Sequence, residues 1–459
     1  MQKTSSPSGS VRFARWSVAL LVAINLLNYI DRQVLSAVTT QIKGEFHASD
    51  EQLGWLTTAF LVSYMCAAPL FGWLSDWMRR WAIVGIGVIL WSLASGASGL
   101  AGSIRIMLFT RLFVGVGEAA YGPTAPTIIS DLFPIEKRGR IMALFYAAIP
   151  VGSALGYLLG GQVLAMELNW RWAFFIVVVP GLILGVLAIL MREPPRPAAE
   201  KRHHATWREF IQLAKIPSFV LTTIGMAAMT FALGGIAAWM PKFVVWKQGI
   251  KIVEEPLVLN AAIEAPLAAV VAPALHLAHD LVVNDATAAA NRTFGPIVVV
   301  SGLLATLAGG WLGDRLRPKW SGSYFIVSGV AALLGFPLVW GITVAPFPAA
   351  WYLIFLACCC LFFNTGPTNT ILANVTKPSI RAAAFAINIF LIHVFGDAIS
   401  PPLIGAINDA NGGNMNPGFV TVSFSILVGG IAWLAGARFL ARDTARAESQ
   451  DDDAEGVSS

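Results

Sequence analysis

Twelve apolar runs of roughly 20 residues follow one another along the chain, and this recurrence restricts its fold more than any other feature. Their cores lie near 16–38, 53–74, 82–101, 106–130, 140–164 and 172–191, then, after a polar segment, near 217–240, 294–312, 323–343, 350–373, 382–406 and 418–440. A helix of that length matches the hydrocarbon thickness of a bilayer, because every backbone polar group is then satisfied within the segment. Composition agrees: 56% of residues are hydrophobic and 12% charged, against about 25% charged in an ordinary soluble domain. The chain is expected to be an all-α integral membrane protein. Its first 15 residues are polar and basic, and the run that follows exceeds the roughly 7–15 residues of a signal-peptide core. No cleavage site is evident, so the first helix is expected to stay in the membrane.

Twelve spans place both termini on one side. Arg12 and Arg15, Arg79 and Arg80, Lys137, Arg138 and Arg140, the segment from Arg192 to Lys215, Arg315, Arg317 and Lys319, Lys377 and Arg381, and Arg438 and Arg442 all fall on that side. The opposite loops hold few cations, mainly Lys43, Arg171 and Lys242 to Lys251. By the positive-inside rule the termini are cytoplasmic, as in the inner membrane of a bacterium.

Several function classes recede. The net charge is +5, but the cations are scattered between apolar runs and make no continuous basic face for nucleic acid. Cys66 stands alone, and Cys358, Cys359 and Cys360 share one apolar run without CxxC or His spacing, so they read as small core hydrophobes. There is no GxSxG, HExxH, P-loop or clustered metal-ligand set, which leaves no expected enzyme chemistry, cofactor or metal. A monomer is expected.

The polar linker 192–216 divides the chain into a six-helix bundle, 1–191, and a second one, 217–446, followed by a disordered acidic tail, 447–459. The halves echo each other. GWLSDWMRR at 72–80 recurs as GWLGDRLRP at 310–318, each after the second span of its half, and DLFPIEKR at 131–138 has a weaker counterpart in NVTKPSIR at 374–381. Such internal symmetry marks a duplicated transporter. Residues 247–293 break it with Glu254, Glu255, Glu264, His276, His279 and Asp280 among Ala-rich stretches. The prolines and polar pairs predict an extracytoplasmic helical insertion lying on the surface.

Twelve spans, the middle loop and the repeated GxxxD turn make the chain resemble the major facilitator superfamily over nearly its whole length. NYIDRQVLSAV at 28–38, RLFVGVGEAAYGPTAPTIISDLF at 111–133 and FYAAIPVGSALGYLLGG at 145–161 are similar to the Spinster branch, as in a bacterial member. The resemblance implies two six-helix bundles, alternating access around a central cavity, and an amphipathic anionic lipid, lysophospholipid or sphingolipid-like, as a proton-linked cargo. It also implies gating by Asp76, Arg79, Arg80, Arg138, Asp314 and Arg315. The turn after Asp76 departs from the superfamily's usual Arg-x-Gly-Arg-Arg, and residues 247–293 have no counterpart associated with the branch. A soluble organic anion or drug, or a transporter-shaped receptor that binds without translocating, remains open from the residues themselves.

Within NYIDR, Asp31 lies inside an apolar run, where an unpaired charge costs several kcal/mol. Asn28 shares its helix face with Asp31 and Arg32. A span ending near Tyr29 would instead leave Asp31 in water. Arg111 and Glu118, two helical turns apart in span four with Gly115 and Gly117 between, are the expected partners. They form either a permanent ion pair or a proton-coupling set with Asp31, in which burial disfavours a charged carboxylate and a guanidinium favours it. An anionic ligand taking Arg111 would free a carboxylate for a proton. Substrate contacts are expected from Asn28, Arg111, Tyr121 and Tyr146, and in the second half from Asn364, Asn388, His393 and Asp397, the last two at pairing distance in sequence. Gly152, Gly156 and Gly160 form a ridge for close helix packing, similar to the superfamily's antiporter motif with Tyr157 in place of proline.

Overall fold

A computed structural model describes residues 7–133, 135–193, 207–249 and 265–447. These residues contain helices and no strand. In the first half they are α1 (Pro7–Ala37), α2 (Thr39–Phe46), α3 (Asp50–Trp77), α4 (Arg80–Gly99), α5 (Ile104–Tyr121), α6 (Thr124–Leu132), α7 (Ile135–Ala165) and α8 (Trp172–Leu190). The linker carries α9 (Trp207–Ala214), and the second half α10 (Pro217–Lys247), α11 (Ala265–Leu316), α12 (Ser323–Val344), α13 (Ala349–Phe362), α14 (Thr365–Val375), α15 (Pro378–Ile392), α16 (Ser400–Ala410) and α17 (Asn416–Gly436). Glu254, Glu255, Glu264 and the acidic tail from residue 448 lie outside the described residues.

Eleven helices among the described residues are long and apolar enough to cross a membrane. The expected span four is absent from that set: α5 has 18 residues and carries Arg105, Arg111 and Glu118. The polar spans are also the broken ones. Gly122 and Pro123 separate α5 from α6, Phe363 and Asn364 separate α13 from α14, and a π turn, His393–Asp397, lies between α15 and α16. Gly396 in that turn takes non-helical angles, φ −108 and ψ −107. Helix starts follow ordinary capping rules where the chain re-enters from a loop. Ser49 Oγ accepts from Gln52 N while the Gln52 side chain accepts from Ser49 N, both at 3.1 Å, closing a capping box on α3.

The chain forms two compact units, Met1–Ala198 with Ala238–Pro296, and Ala199–Ala237 with Ile297–Ser459. They do not follow the sequence halves, because residues 238–296 cluster with the first. Within that unit, Asn291 Nδ2 donates to Ala37 O at 2.8 Å, Gln41 Nε2 donates to Asn284 Oδ1 at 3.0 Å, and the rings of Tyr157 and Phe294 meet edge-on at 5.0 Å. Asp50 Oδ1 accepts from Lys43 Nζ at 2.9 Å and also from Lys242 Nζ. All three side chains are buried, and the two ammonium groups share the one carboxylate of Asp50.

The expected surface insertion is corrected by α11. Residues 265–293 run without a break into span eight as one 52-residue helix, roughly 80 Å long at 1.5 Å per residue. Pro266 sits in the first turn, where its missing N–H is harmless, and the Ala-rich stretch around 286–290 favours helix strongly enough to carry it through Pro273 and Pro296. Asp280 and Asp285 on it are exposed. The cysteines also differ from expectation: Cys358 is buried, but Cys66 is exposed.

The α7 ridge packs against α1. A Cβ on Gly152 would fall on Leu26 O and Tyr29 Cβ, one on Gly156 on Ile30 O and Gln33 Cβ, and one on Gly160 on Ala37 Cβ. Asn25 Nδ2 adds a hydrogen bond to Phe145 O at 2.8 Å. Gly156→Val must therefore push α1 away, at a cost of about 1–3 kcal/mol, read as a lowered thermal midpoint of the purified protein. Asp50→Asn removes the carboxylate that the buried Lys43 and Lys242 share, and chemical unfolding should show a loss of about 3–5 kcal/mol.

Candidate functional site

Asp31 is 1% exposed, and α1 continues beyond it to Ala37, so the helix does not end near Tyr29. Three α-helices of the first unit meet around it. α1 supplies Asn28, Asp31 and Arg32, α4 supplies Ser95, and α5 supplies Arg111 and Glu118. α5 approaches closely because Gly115 faces Phe60 and Ser63 of α3, and Gly117 faces Gly87 and Trp91 of α4. The two glycines thus make room for neighbouring helices.

The ion pairing differs from the sequence expectation. Glu118 is held by Arg32, with Nη2 at 2.6 Å and Nε at 2.8 Å from Oε2, and not by Arg111. The physical reason is reach across helices: Arg32 sits on α1 facing the carboxylate, whereas Arg111 and Glu118 share α5 two turns apart. Arg32 also lies over three rings, 4.9 Å from the Tyr29 centroid, 4.8 Å from Phe60 and 5.7 Å from Tyr64. Aromatic faces stabilise a partly desolvated guanidinium. Asp31 Oδ1 accepts from Ser95 Oγ.

Arg111 is 1% exposed and its Nε and Nη1 have no hydrogen-bond partner. Its guanidinium lies 5.6 Å from the Phe60 centroid, on the ring that Arg32 also approaches. Asp31, Glu118 and Arg32 all act on it electrostatically. Asp31 Oδ2, Glu118 Oε1 and Asn28 Nδ2 are likewise buried and without partners. Two guanidinium and two carboxylate groups therefore share one buried region with several donors and acceptors open. Buried polar atoms are rarely left so, because each costs about 1–3 kcal/mol.

The remaining expected residues are scattered. The Tyr121 hydroxyl donates to Leu21 O at 2.7 Å, and its ring contacts Trp91 and Phe145. Tyr146 is half-exposed beside Phe145. In the second unit, Asn388 Oδ1 accepts from Thr223 Oγ1 at 2.9 Å, Asn364 Nδ2 donates to Leu361 O, and His393 Nδ1 lies 2.9 Å from Asp397 Oδ1. Of the expected gating residues, Arg80 is buried against Asp131 and, at 2.9 Å, Glu193. Arg79 donates to Met191 O at 3.0 Å, Asp314 accepts from Tyr324 Oη at 2.8 Å, and Arg315 stacks on Trp311 at 5.2 Å. The side chains of Asp76, Arg138, His276 and His279 lie outside the described residues. Sequence reasoning missed the roles of Arg32 and Ser95. Arg32 was legible as the fourth residue after Asn28 on one helix face; Ser95 carried no signal.

The family model for the Major Facilitator Superfamily matches residues 21–275. Protein spinster homolog 1 of Homo sapiens is 34% identical over 459 residues, covering 94% of this chain and 82% of that protein. The chain belongs to the Spinster branch of the Major Facilitator Superfamily. Protein spinster of Drosophila melanogaster is 32% identical and covers 87% of this chain and 63% of its own length. The fold of this Spinster-type transporter is similar to the crystal structure of a bacterial homologue of the human lysosomal transporter Spinster in an inward-facing, unoccupied conformation. That similarity has a TM-score of 0.76 at 20% identity and covers 96% of this chain and 99% of that one. A D-xylose-proton symporter shares the fold at TM-score 0.62 and 15% identity, covering 93% and 97% of the respective chains.

Arg32→Gln and Glu118→Gln each remove the ion-pair partner of a buried charge and should each cost about 3–5 kcal/mol, whereas the double variant should lose less than the sum. A double-mutant cycle on unfolding of the purified protein measures that coupling.

Proposed function

We propose that this Spinster transporter couples the movement of an amphipathic anionic lipid, of the lysophospholipid or sphingolipid-like class, to protons by alternating access. The observation that carries the reading is the unmatched Arg111 guanidinium beside two carboxylates with open oxygens. With both carboxylates ionised the four charged groups balance. An anionic head group on Arg111 adds a negative charge, which a proton on Asp31 or Glu118 offsets. Each ligand then favours the other, and this linkage is reciprocal. Glu118 is already neutralised by Arg32, so Asp31 is the better proton acceptor.

The lipid class rests on the resemblance of NYIDR and the α5 and α7 strings to the Spinster branch. Asn28, Arg111 and Tyr146 of the first unit supply head-group contacts in this reading. The protein works as a monomer without a bound cofactor in the inner membrane of a bacterium, its termini cytoplasmic by the positive-inside rule. A soluble organic anion or drug is the second reading, favoured by the exposed amide of Asn369 and the half-buried His393–Asp397 pair, which suit a more polar ligand.

Reconstituted in liposomes under an imposed pH gradient, the wild type should move labelled lysophospholipid or sphingosine-1-phosphate. Asp31→Asn should abolish the dependence on the gradient, and Arg111→Gln should abolish transport. Unchanged pH-driven transport by Asp31→Asn and Glu118→Gln would overturn the coupling scheme. Movement of neither lipid by folded protein would turn the assignment to soluble anions.

A further inference from the structure

The two carboxyl oxygens of Asp31 differ. Oδ1 accepts from Ser95 Oγ of α4, whereas Oδ2 is buried and without a partner. The packing of α4 brings Ser95 to this place. Gly87, Trp91 and Ser95 recur every four residues and so share one helix face. On that face Gly87 lies against Gly117 and Ala120 of α5, and Trp91 lies against Gly117. About one turn beyond Ser95, Ser98 Oγ is 2.7 Å from Thr110 Oγ1, also of α5. Ser95 therefore lies between these contacts, level with the stretch of α5 that carries Arg111, and it is fully buried. A serine inside a helix ordinarily returns its hydroxyl proton to a carbonyl one turn earlier. Ser98 does so, donating to Ala94 O at 3.1 Å. Ser95 turns its hydroxyl to Asp31 instead and makes no other hydrogen bond among the described residues. Ser92, about one turn before it, is buried with its hydroxyl unpartnered, so a serine on α4 does not by that fact alone find a carboxylate.

We infer that Ser95 is the positioning residue of the proton site: it holds Asp31 Oδ1 and leaves Oδ2 as the oxygen that takes up and releases the proton. This rests on Asp31 as the proton acceptor. An ionised carboxylate accepts at both oxygens, and a protonated one keeps an acceptor oxygen beside its new O–H donor. With Ser95 on Oδ1 that acceptor is the same atom before and after protonation, so the side chain need not turn over. The proton enters on the open oxygen, in the buried region where Arg111 Nε and Nη1 also lack hydrogen-bond partners. Arg111 and Arg32 act on Asp31 electrostatically, and Asp31 acts on Glu118. Other helices packed on α1 bring no further ionic group to it. α7 beyond Arg140 and all of α8 carry no Asp, Glu, Lys, Arg or His, only the phenols Tyr146 and Tyr157 on α7. Asp131 of α6 is held by Arg80 of α4, and Lys43 of α2 is held by Asp50. Ser95 is thus the one hydrogen-bond donor on Asp31 among the described residues, and a donor of this kind fixes the geometry of the group that reacts.

Infrared difference spectroscopy of the intact protein in lipid, recorded across a pH titration, tests this without any cargo. A protonated carboxyl gives a C=O band whose frequency falls when its carbonyl oxygen accepts a hydrogen bond. Asp31→Asn should remove that band. Ser95→Ala should move it to higher frequency and shift its titration midpoint about one unit toward higher pH, because the ionised form loses more with the donor than the neutral form does. Ser95→Thr should keep the wild-type band and midpoint. Ser95→Cys, a weaker donor, should fall between the two and serves if Ser95→Ala does not fold. Ser92→Ala, the same change about one turn away, should alter neither. A band lost in Asp31→Asn but unmoved in Ser95→Ala and Ser95→Cys would overturn the role of Ser95 alone, as would an equal shift in Ser92→Ala. A titration in which Asp31→Asn removes no band would overturn Asp31 as the proton acceptor, and the assignment of Ser95 with it.

Discussion

Burying guanidinium groups among the helices of a membrane protein is the constraint around which the first unit is arranged. A charge there costs several kcal/mol unless other charges and dipoles replace water. Arg32 meets that requirement completely, with Glu118 at 2.6 Å and three aromatic faces around it. Arg111 meets it only in part, through the field of nearby carboxylates and the face of one ring. The difference between the two arginines separates a charge that holds helices together from one that is left ready for a ligand.

The same contrast distinguishes the other charged groups of the unit. Asp50 with Lys43 and Lys242 is buried and mutually bonded, and it ties the end of α10 to α3. Arg80 with Asp131 and Glu193 ties α4 to α6 and to the end of α8 in a similar way. Both sets hold segments in register. Around Asp31, packing does that work instead: the α7 ridge presses on α1, and Gly115 and Gly117 let α3 and α4 close on α5. Rigid packing on all sides is what allows polar atoms in the centre to stay unmatched, since helices that are held elsewhere cannot collapse to satisfy them.

The second unit is chemically quieter. Among its described buried atoms without partners, all belong to neutral serine, threonine and asparagine side chains. Its polar residues mostly satisfy each other locally, as Asn388 does with Thr223 and His393 with Asp397. The unit varies its backbone more than its charge, with α13 and α15 interrupted at Asn364 and at the Gly396 turn. Polar chemistry is therefore concentrated in one unit and helix breaks are prominent in the other.

Most of the fold was legible in the sequence, because hydrophobic length and charge punctuation are properties of the chain alone: a segment of about 20 apolar residues is a membrane helix wherever it packs. Asp31, Arg111 and Glu118 were legible for the same reason, since a charge inside such a segment is exceptional without reference to its neighbours. Who pairs with whom was not. Arg32 rather than Arg111 takes Glu118, Ser95 reaches Asp31, and Lys242 crosses to Asp50, because partners across helices depend on rotation and approach that spacing within one helix does not encode. The membership of residues 238–296 in the first unit was likewise decided by tertiary contacts, through Asn291, Asn284 and Phe294. Local sequence determined the segments and the groups that must find partners; three-dimensional packing decided which partners they found and which groups were left open.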